Sequence, residues 1–102
     1  MPQKYSLKIH PNAIDELETV YRFIANDKKT AAKRFVGELK KKIRGLSLFP
    51  RRGASARKIV SSLENVRFIS HKGYLIFYEV RGSEVLVLHI TAPGQDWITL
   101  FL

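Results

Sequence analysis

Four cations crowd one short stretch of the chain. Arg51, Arg52, Arg57 and Lys58 surround Gly53 and the small residues Ala54, Ser55 and Ala56. A guanidinium fork matches a carboxylate or phosphate bidentately, and a glycine lets backbone amides approach the same group. The stretch is therefore a candidate anion-binding loop, with a solvated basic loop as the plain alternative. Arg67 and His71 lie an even number of residues apart on a strand-like run, so they share one face. If the loop folds over that face, a concave basic surface results. The other histidines, His10 and His89, stand alone in sequence, and a lone strand histidine is usually just half-exposed. Asp15, Glu16 and Glu18 read as first-turn acids that complement a helix dipole. Glu79 and Asp96 could meet across the end of a sheet.

Sequence signatures of enzymes are missing. There is no G-x-G-x-x-G, no phosphate-binding loop, no H-E-x-x-H and no G-x-S-x-G. His and carboxylate residues are not spaced as metal ligands. No catalytic residue, metal or cofactor is expected. The chain has 0 cysteines, which excludes a thiol nucleophile, a disulfide scaffold and a Cys-ligated zinc. No apolar run approaches the ~18 residues of a membrane span, and Met1–Tyr5 lacks a signal-peptide core. The expectation is a cytoplasmic protein with no membrane partner, folded as one domain over residues 1–102.

Charge is distributed unevenly. Residues 28–58 hold twelve Lys/Arg and one acid, Glu38, a net of +11 within a chain whose total is +9. Such a field attracts polyanions: nucleic acid, an acidic protein segment or an anionic membrane surface.

The elements that would carry these residues follow from periodicity. Residues 4–10 alternate, with Tyr5, Leu7 and Ile9 on one side, as a half-buried strand does. Asn12 reads as an N-cap, and Ala13, Ile14, Leu17, Val20, Tyr21 and Ile24 form the apolar stripe of a helix ending near residue 26. Thr30 reads as the cap of a second helix, with its stripe at Ala32, Phe35, Val36, Leu39, Ile43 and Leu46 and its stop at Pro50. The short link implies an antiparallel helical hairpin. Residues 51–64 read as a basic loop with one short helical turn. Asn65–His71, Tyr74–Arg81 and Glu84–Thr91 read as strands joined by Lys72-Gly73 and Gly82-Ser83 turns. Tyr74–Arg81 is apolar enough to be covered on both faces. The expected fold is α+β, in the order β-α-α-β-β-β, with the hairpin on one face of an antiparallel sheet. The apolar end, Trp97–Leu102, must cover the hairpin or await a partner.

Several stretches together resemble the ParE/RelE superfamily of toxins from bacterial type II toxin–antitoxin modules. They are Ala13-Ile14-Asp15-Glu16-Leu17, Tyr21-Arg22-Phe23-Ile24, Ala31-Ala32-Lys33-Arg34-Phe35 and Leu46-Ser47-Leu48-Phe49-Pro50-Arg51-Arg52-Gly53. To these are added Gly73-Tyr74-Leu75-Ile76-Phe77-Tyr78-Glu79-Val80, the strand Val85–Ile90, and Asp96-Trp97. The resemblance implies a basic toxin of a plasmid-stabilisation module. Its expected partner is an acidic cognate antitoxin, typically a DNA-binding dimer, and there is room for a homodimer of the toxin itself. Arg51, Arg52, Arg57, Lys58, Arg67, His71 and Trp97 are the residues expected to bind antitoxin or target.

Two activities occur in that superfamily. The RelE-like branch is a ribosome-dependent mRNA endonuclease. Its basic positions fall here on Val66, Phe68, Leu75 and Gln95, all uncharged, which leaves nothing to stabilise a phosphorane. Arg67 comes within reach only after a one-residue slip. The ParE-like branch poisons DNA gyrase by binding and needs no catalytic set. The helical hairpin and Phe49–Gly53 favour it. The histidine-and-arginine pattern that this branch places before its late aspartate is here Ala92-Pro93-Gly94-Gln95, so a divergent, non-toxic member is the remaining reading.

Overall fold

The computed structural model describes residues 4–102, so the first three residues of the expected 1–102 domain lie outside it. The elements are β1 (Ser6–Ile9), α1 (Pro11–Ala25), α2 (Lys29–Gly45), β2 (Ala54–Ser55), β3 (Val66–His71), β4 (Tyr74–Arg81) and β5 (Glu84–Thr91), with short 3-10 turns at Ala56–Lys58 and Ile98–Phe101.

Each helix begins a little earlier than its polar residues suggest. Proline occupies the first turn of α1, where its missing N–H costs nothing and its fixed φ is already helical. The cap is therefore His10, whose Nδ1 accepts the Asn12 N–H at 3.1 Å, and Asn12 lies inside the helix. Helix α2 starts after an extended Lys28 with no side-chain cap, one residue ahead of Thr30. At its far end the Ser47 hydroxyl donates to the Arg44 carbonyl at 2.8 Å. Gly37 sits exposed in mid-α2, and a Cβ there would meet nothing within 4 Å. Gly37→Ala should therefore stabilise the fold by about 0.5–1 kcal/mol, the helix-propensity difference between the two residues. A urea titration with unchanged slope would report it.

The five strands form one sheet in the order β1-β5-β4-β3-β2. Strands β3 to β5 pair antiparallel, as expected; the loop expected over 51–64 adds the two-residue β2, antiparallel to β3, and β1 runs parallel to β5, from Ser6↔Glu84 to Ile9↔Val87. The sheet is thus mixed rather than wholly antiparallel. Alternation of direction along β3, β4 and β5 leaves β5 at the open edge, and β5 points the same way as β1. Lys72 and Gly73 both have positive φ, 50° and 87°, the left-handed pair that a tight hairpin turn matched to strand twist requires.

Both helices lay their stripes on one face of the sheet. Ala13, Leu17, Val20, Val36, Leu39 and Ile43 pack with Ile69, Ile76, Tyr78, Val85, Val87 and Ile90. The other face is closed by residues 56–63 and by the C-terminal turn. There Ala56, Val66 and Phe77 form the buried centre, with Leu63, Phe68, Leu75, Leu88, Trp97 and Phe101 around it. Trp97 and Phe101 reach Phe77 at ring-centroid distances of 4.8 and 5.3 Å. The apolar end therefore covers the second sheet face and not the hairpin. Ile76, Phe77 and Tyr78 are all fully buried, as the apolar run of β4 requires. Among the described residues no helix is long and apolar enough to cross a membrane.

Candidate functional site

The basic loop between α2 and β3 is pinned at one residue. The Gly53 N–H donates to the Tyr78 hydroxyl at 2.9 Å, and the Gly53 carbonyl accepts from Arg67 Nη1 at 2.8 Å. A Cβ on Gly53 would lie 2.5 Å from the Tyr78 oxygen and 2.8 Å from the Phe68 carbonyl. Only glycine fits. Burial pushes the Tyr78 hydroxyl above its ordinary range, outweighing the Gly53 hydrogen bond, so it remains a neutral phenol. Arg67 also reaches the Arg51 carbonyl at 3.4 Å. Strands β3 and β4 thus hold the loop by a phenol and a guanidinium, and β2 continues the attachment, Ala54 opposite Phe68 and Ser55 opposite Arg67.

What the loop presents is cationic and apolar together. Arg51, Arg52, Arg57 and Lys58 are exposed. Arg52 folds back toward the end of α2, where a Cβ on Gly45 would meet its Nη1 at 3.3 Å; a cation there complements the negative end of the helix dipole. The Ser55 hydroxyl accepts the Arg57 N–H at 3.3 Å and starts the 3-10 turn that carries Arg57 and Lys58. Leu48, Phe49 and Ile59 stand exposed on the same connection.

Arg67 and His71 do lie on the same strand, but their side chains have separate duties. Arg67 faces the loop backbone. His71 Nε2 lies 2.7 Å from Glu38 Oε1, in the middle of α2, and its ring packs on Phe35 at 5.5 Å. Lys72 Nζ is 3.4 Å from the same oxygen. The His71 hydrogen bond, with Lys72 behind it, holds the Glu38 carboxyl below its ordinary 4.5. Because the folded value is depressed, the ionised group favours folding above its unfolded pKa, and that contribution is lost as the pH falls through the folded one. Glu38→Gln should therefore flatten the acid limb of stability below about pH 4.5, measured as Tm against pH beside the unmodified chain. Trp97 lies on the opposite sheet face. The seven expected binding residues thus fall into one cluster at the loop (Arg51, Arg52, Arg57, Lys58, Arg67) and two outlying positions, His71 and Trp97.

Sequence reasoning did not foresee a second feature, the apolar groove beside the edge strand β1. One cavity of about 510 Å³ is lined by Ile9, Ile14, Leu17, Tyr21 and Val36, with Glu18, Arg22 and Lys40 at its rim. Another of about 510 Å³ continues along Tyr5, Leu7 and Leu48, with Lys4 and Arg44 beside it. The signal for it was the alternation Tyr5, Leu7, Ile9, read only as a core pattern. Nor do Asp15, Glu16 and Glu18 take the first-turn role: α1 starts at Pro11 and its first turn holds no acid. Glu16 has another partner. Its carboxylate takes the Ile90 N–H at 2.9 Å and lies 3.1 Å from His89 Nδ1, tying α1 to β5. Glu79 and Asp96 do not meet: Glu79 pairs with Arg81 at 2.7 Å, and Asp96 accepts the Ile98 N–H at 3.2 Å. Among the described residues no three of His, Asp or Glu converge to hold a metal ion.

The family model for the ParE toxin of the type II toxin–antitoxin system parDE matches residues 7–97. The chain belongs to the ParE toxin family. Solved structures agree with the fold. A chain of the chromosomal ParDE toxin–antitoxin system from P. aeruginosa superposes with a TM-score of 0.74 at 20% identity, covering 90% of this chain and 99% of that one. A chain of the RelBE2 toxin–antitoxin complex from Mycobacterium tuberculosis superposes at 0.66 with 16% identity, covering 90% and 94%. No curated sequence matches the chain significantly.

Proposed function

We propose that this ParE-family toxin acts by binding DNA gyrase and stabilising its cleaved complex with DNA, and that a cognate antitoxin neutralises it in the cytoplasm. The observation that carries the reading is the state of the sheet face opposite the helices. Val66, Phe68 and Leu75, where a RelE-like nuclease needs cations, pack around Phe77 beneath Trp97 and Phe101. An apolar, filled face supports binding rather than phosphoryl chemistry. The surface left for a target is the rigid loop, with its four exposed cations and its neighbours Leu48, Phe49 and Ile59. An exposed aromatic ring such as Phe49 beside arginines has the composition enriched at interface cores.

The groove along β1 suits the antitoxin. Its floor is apolar, and beside the Arg22–Glu18 pair its rim carries Lys4, Lys40 and Arg44, so it fits a segment with apolar anchors and acidic flanks. The pure chain should inhibit gyrase supercoiling and accumulate cleaved DNA, and antitoxin should reverse both. Unimpaired supercoiling at micromolar excess overturns the gyrase reading. Cleavage of mRNA in a translating extract would establish the endonuclease activity in its place.

A further inference from the structure

The outer face of α2 lies outside the loop and the groove floor, although two of its cations, Lys40 and Arg44, also border the groove. Helical spacing places Lys29, Lys33, Lys40 and Arg44 in one row and Arg34 and Lys41 in a second. Between the rows run Thr30 and Gly37. All eight positions are exposed. The bare strip is deepest at Gly37, where a Cβ would have no neighbour. None of the six cations takes part in an ion pair among the described residues. Glu38, the one acid on this helix, points away to His71 and Lys72.

We propose that this face binds the phosphate backbone of duplex DNA, with the duplex lying along the strip and the two cation rows reaching its phosphates from either side. The longer row, Lys29 to Arg44, spans about 22 Å at 1.5 Å per residue, the axial length of about six base pairs at 3.4 Å each, so each of the six cations can neutralise one phosphate. Three features favour a phosphate chain. An acidic peptide needs apolar anchors to hold it, and this face offers none; those are in the groove along β1. Single-stranded nucleic acid is held by stacking on aromatic rings, and the strip has no ring. Unpaired, mobile lysines on a helix are the usual source of sequence-independent, salt-sensitive affinity. The proposal goes beyond the gyrase reading and is independent of it, because the contact is with DNA itself.

The test is fluorescence anisotropy of the full chain with a labelled duplex of about 20 base pairs, titrated between about 50 and 200 mM salt, with no gyrase present. Six phosphate contacts predict a log–log salt slope near −5, since each contributes about 0.9. Lys40→Ala with Lys41→Ala should reduce that slope by about 2. Gly37→Glu puts a carboxylate on the strip at a site where any helix-former is tolerated, and should weaken binding at least about tenfold, whereas Gly37→Ala should change it less than about twofold. Circular dichroism checks that both variants fold. The proposal is overturned by no binding at the lowest salt, by a slope that the lysine pair does not change, or by Gly37→Glu binding like the unmodified chain. Polyglutamate competing as well as DNA, or tighter binding to duplex RNA of equal length, would also overturn it.

Discussion

Phe77→Ala should cost about 3–5 kcal/mol of folding stability, the range for truncating a fully buried phenylalanine. Phe77 is 0% exposed and joins everything on the second sheet face: Phe68 at 5.7 Å, Trp97 at 4.8 Å and Phe101 at 5.3 Å. Its loss opens a void that those three rings cannot fill by small shifts. At this chain length each kcal/mol is worth about 4–8 °C in Tm, so the variant should melt at least about 12 °C lower. The C-terminal turn should come loose first, because Trp97 and Phe101 both pack on that ring. Trp97 is the only tryptophan in the chain, so its emission reports the change directly. A red-shifted native baseline is expected before the main transition. An unshifted baseline together with a loss under 1.5 kcal/mol would show that Trp97 is held elsewhere.

The second large effect belongs to Gly53→Ala. A methyl group there must push against the Tyr78 hydroxyl and the Phe68 carbonyl, at 2.5 and 2.8 Å, and overpacking of this kind costs about 1–3 kcal/mol. The loop can escape only by breaking the hydrogen bonds from Gly53 to Tyr78 and from Arg67 to Gly53. Arg51 and Arg52 then lose their fixed positions, so target binding should fall along with stability. Tyr78→Phe removes one obstacle but leaves the buried Gly53 N–H without its acceptor, at about 1–3 kcal/mol. The double variant should therefore be less damaged than the sum of the two, with a coupling of about 0.5–3 kcal/mol. Strict additivity in urea titrations would argue that the loop is not anchored at this contact.

Much of this architecture is legible in the amino-acid order. The stripes on both helices repeat at helical spacing, and each stripe residue proposed for α2 is buried or half-buried. Lys72-Gly73 and the nearly all-apolar run of β4 announce a hairpin and a strand covered twice. Alternation at Tyr5, Leu7 and Ile9 reveals a strand, but a period of two says nothing about its neighbour or its direction, so the parallel pairing with β5 stays hidden. His10 caps α1 because Pro11 can occupy the first turn, and polar propensity at Asn12 points one step too late. The loop cations are conspicuous, whereas their anchor is not: Tyr78 looks like one more core aromatic until its hydroxyl is found 25 residues away from its partner. His71 and Arg67 share a face as periodicity requires, yet their partners, Glu38 and Gly53, come from other elements that no local pattern names.

The parallel pair β1 and β5 also sets a schedule for the chain's birth. Ser6 leaves the ribosome well ahead of its partner Glu84, which lies on the far side of both helices and of the meander that follows them. Contacts so distant in sequence form slowly and late. A growing chain can build its helices and begin its meander with β1 still unattached, so the furrow beside that strand has no fixed wall until β5 has been made and paired. An inhibitor that grips the furrow recognises finished molecules, not nascent ones.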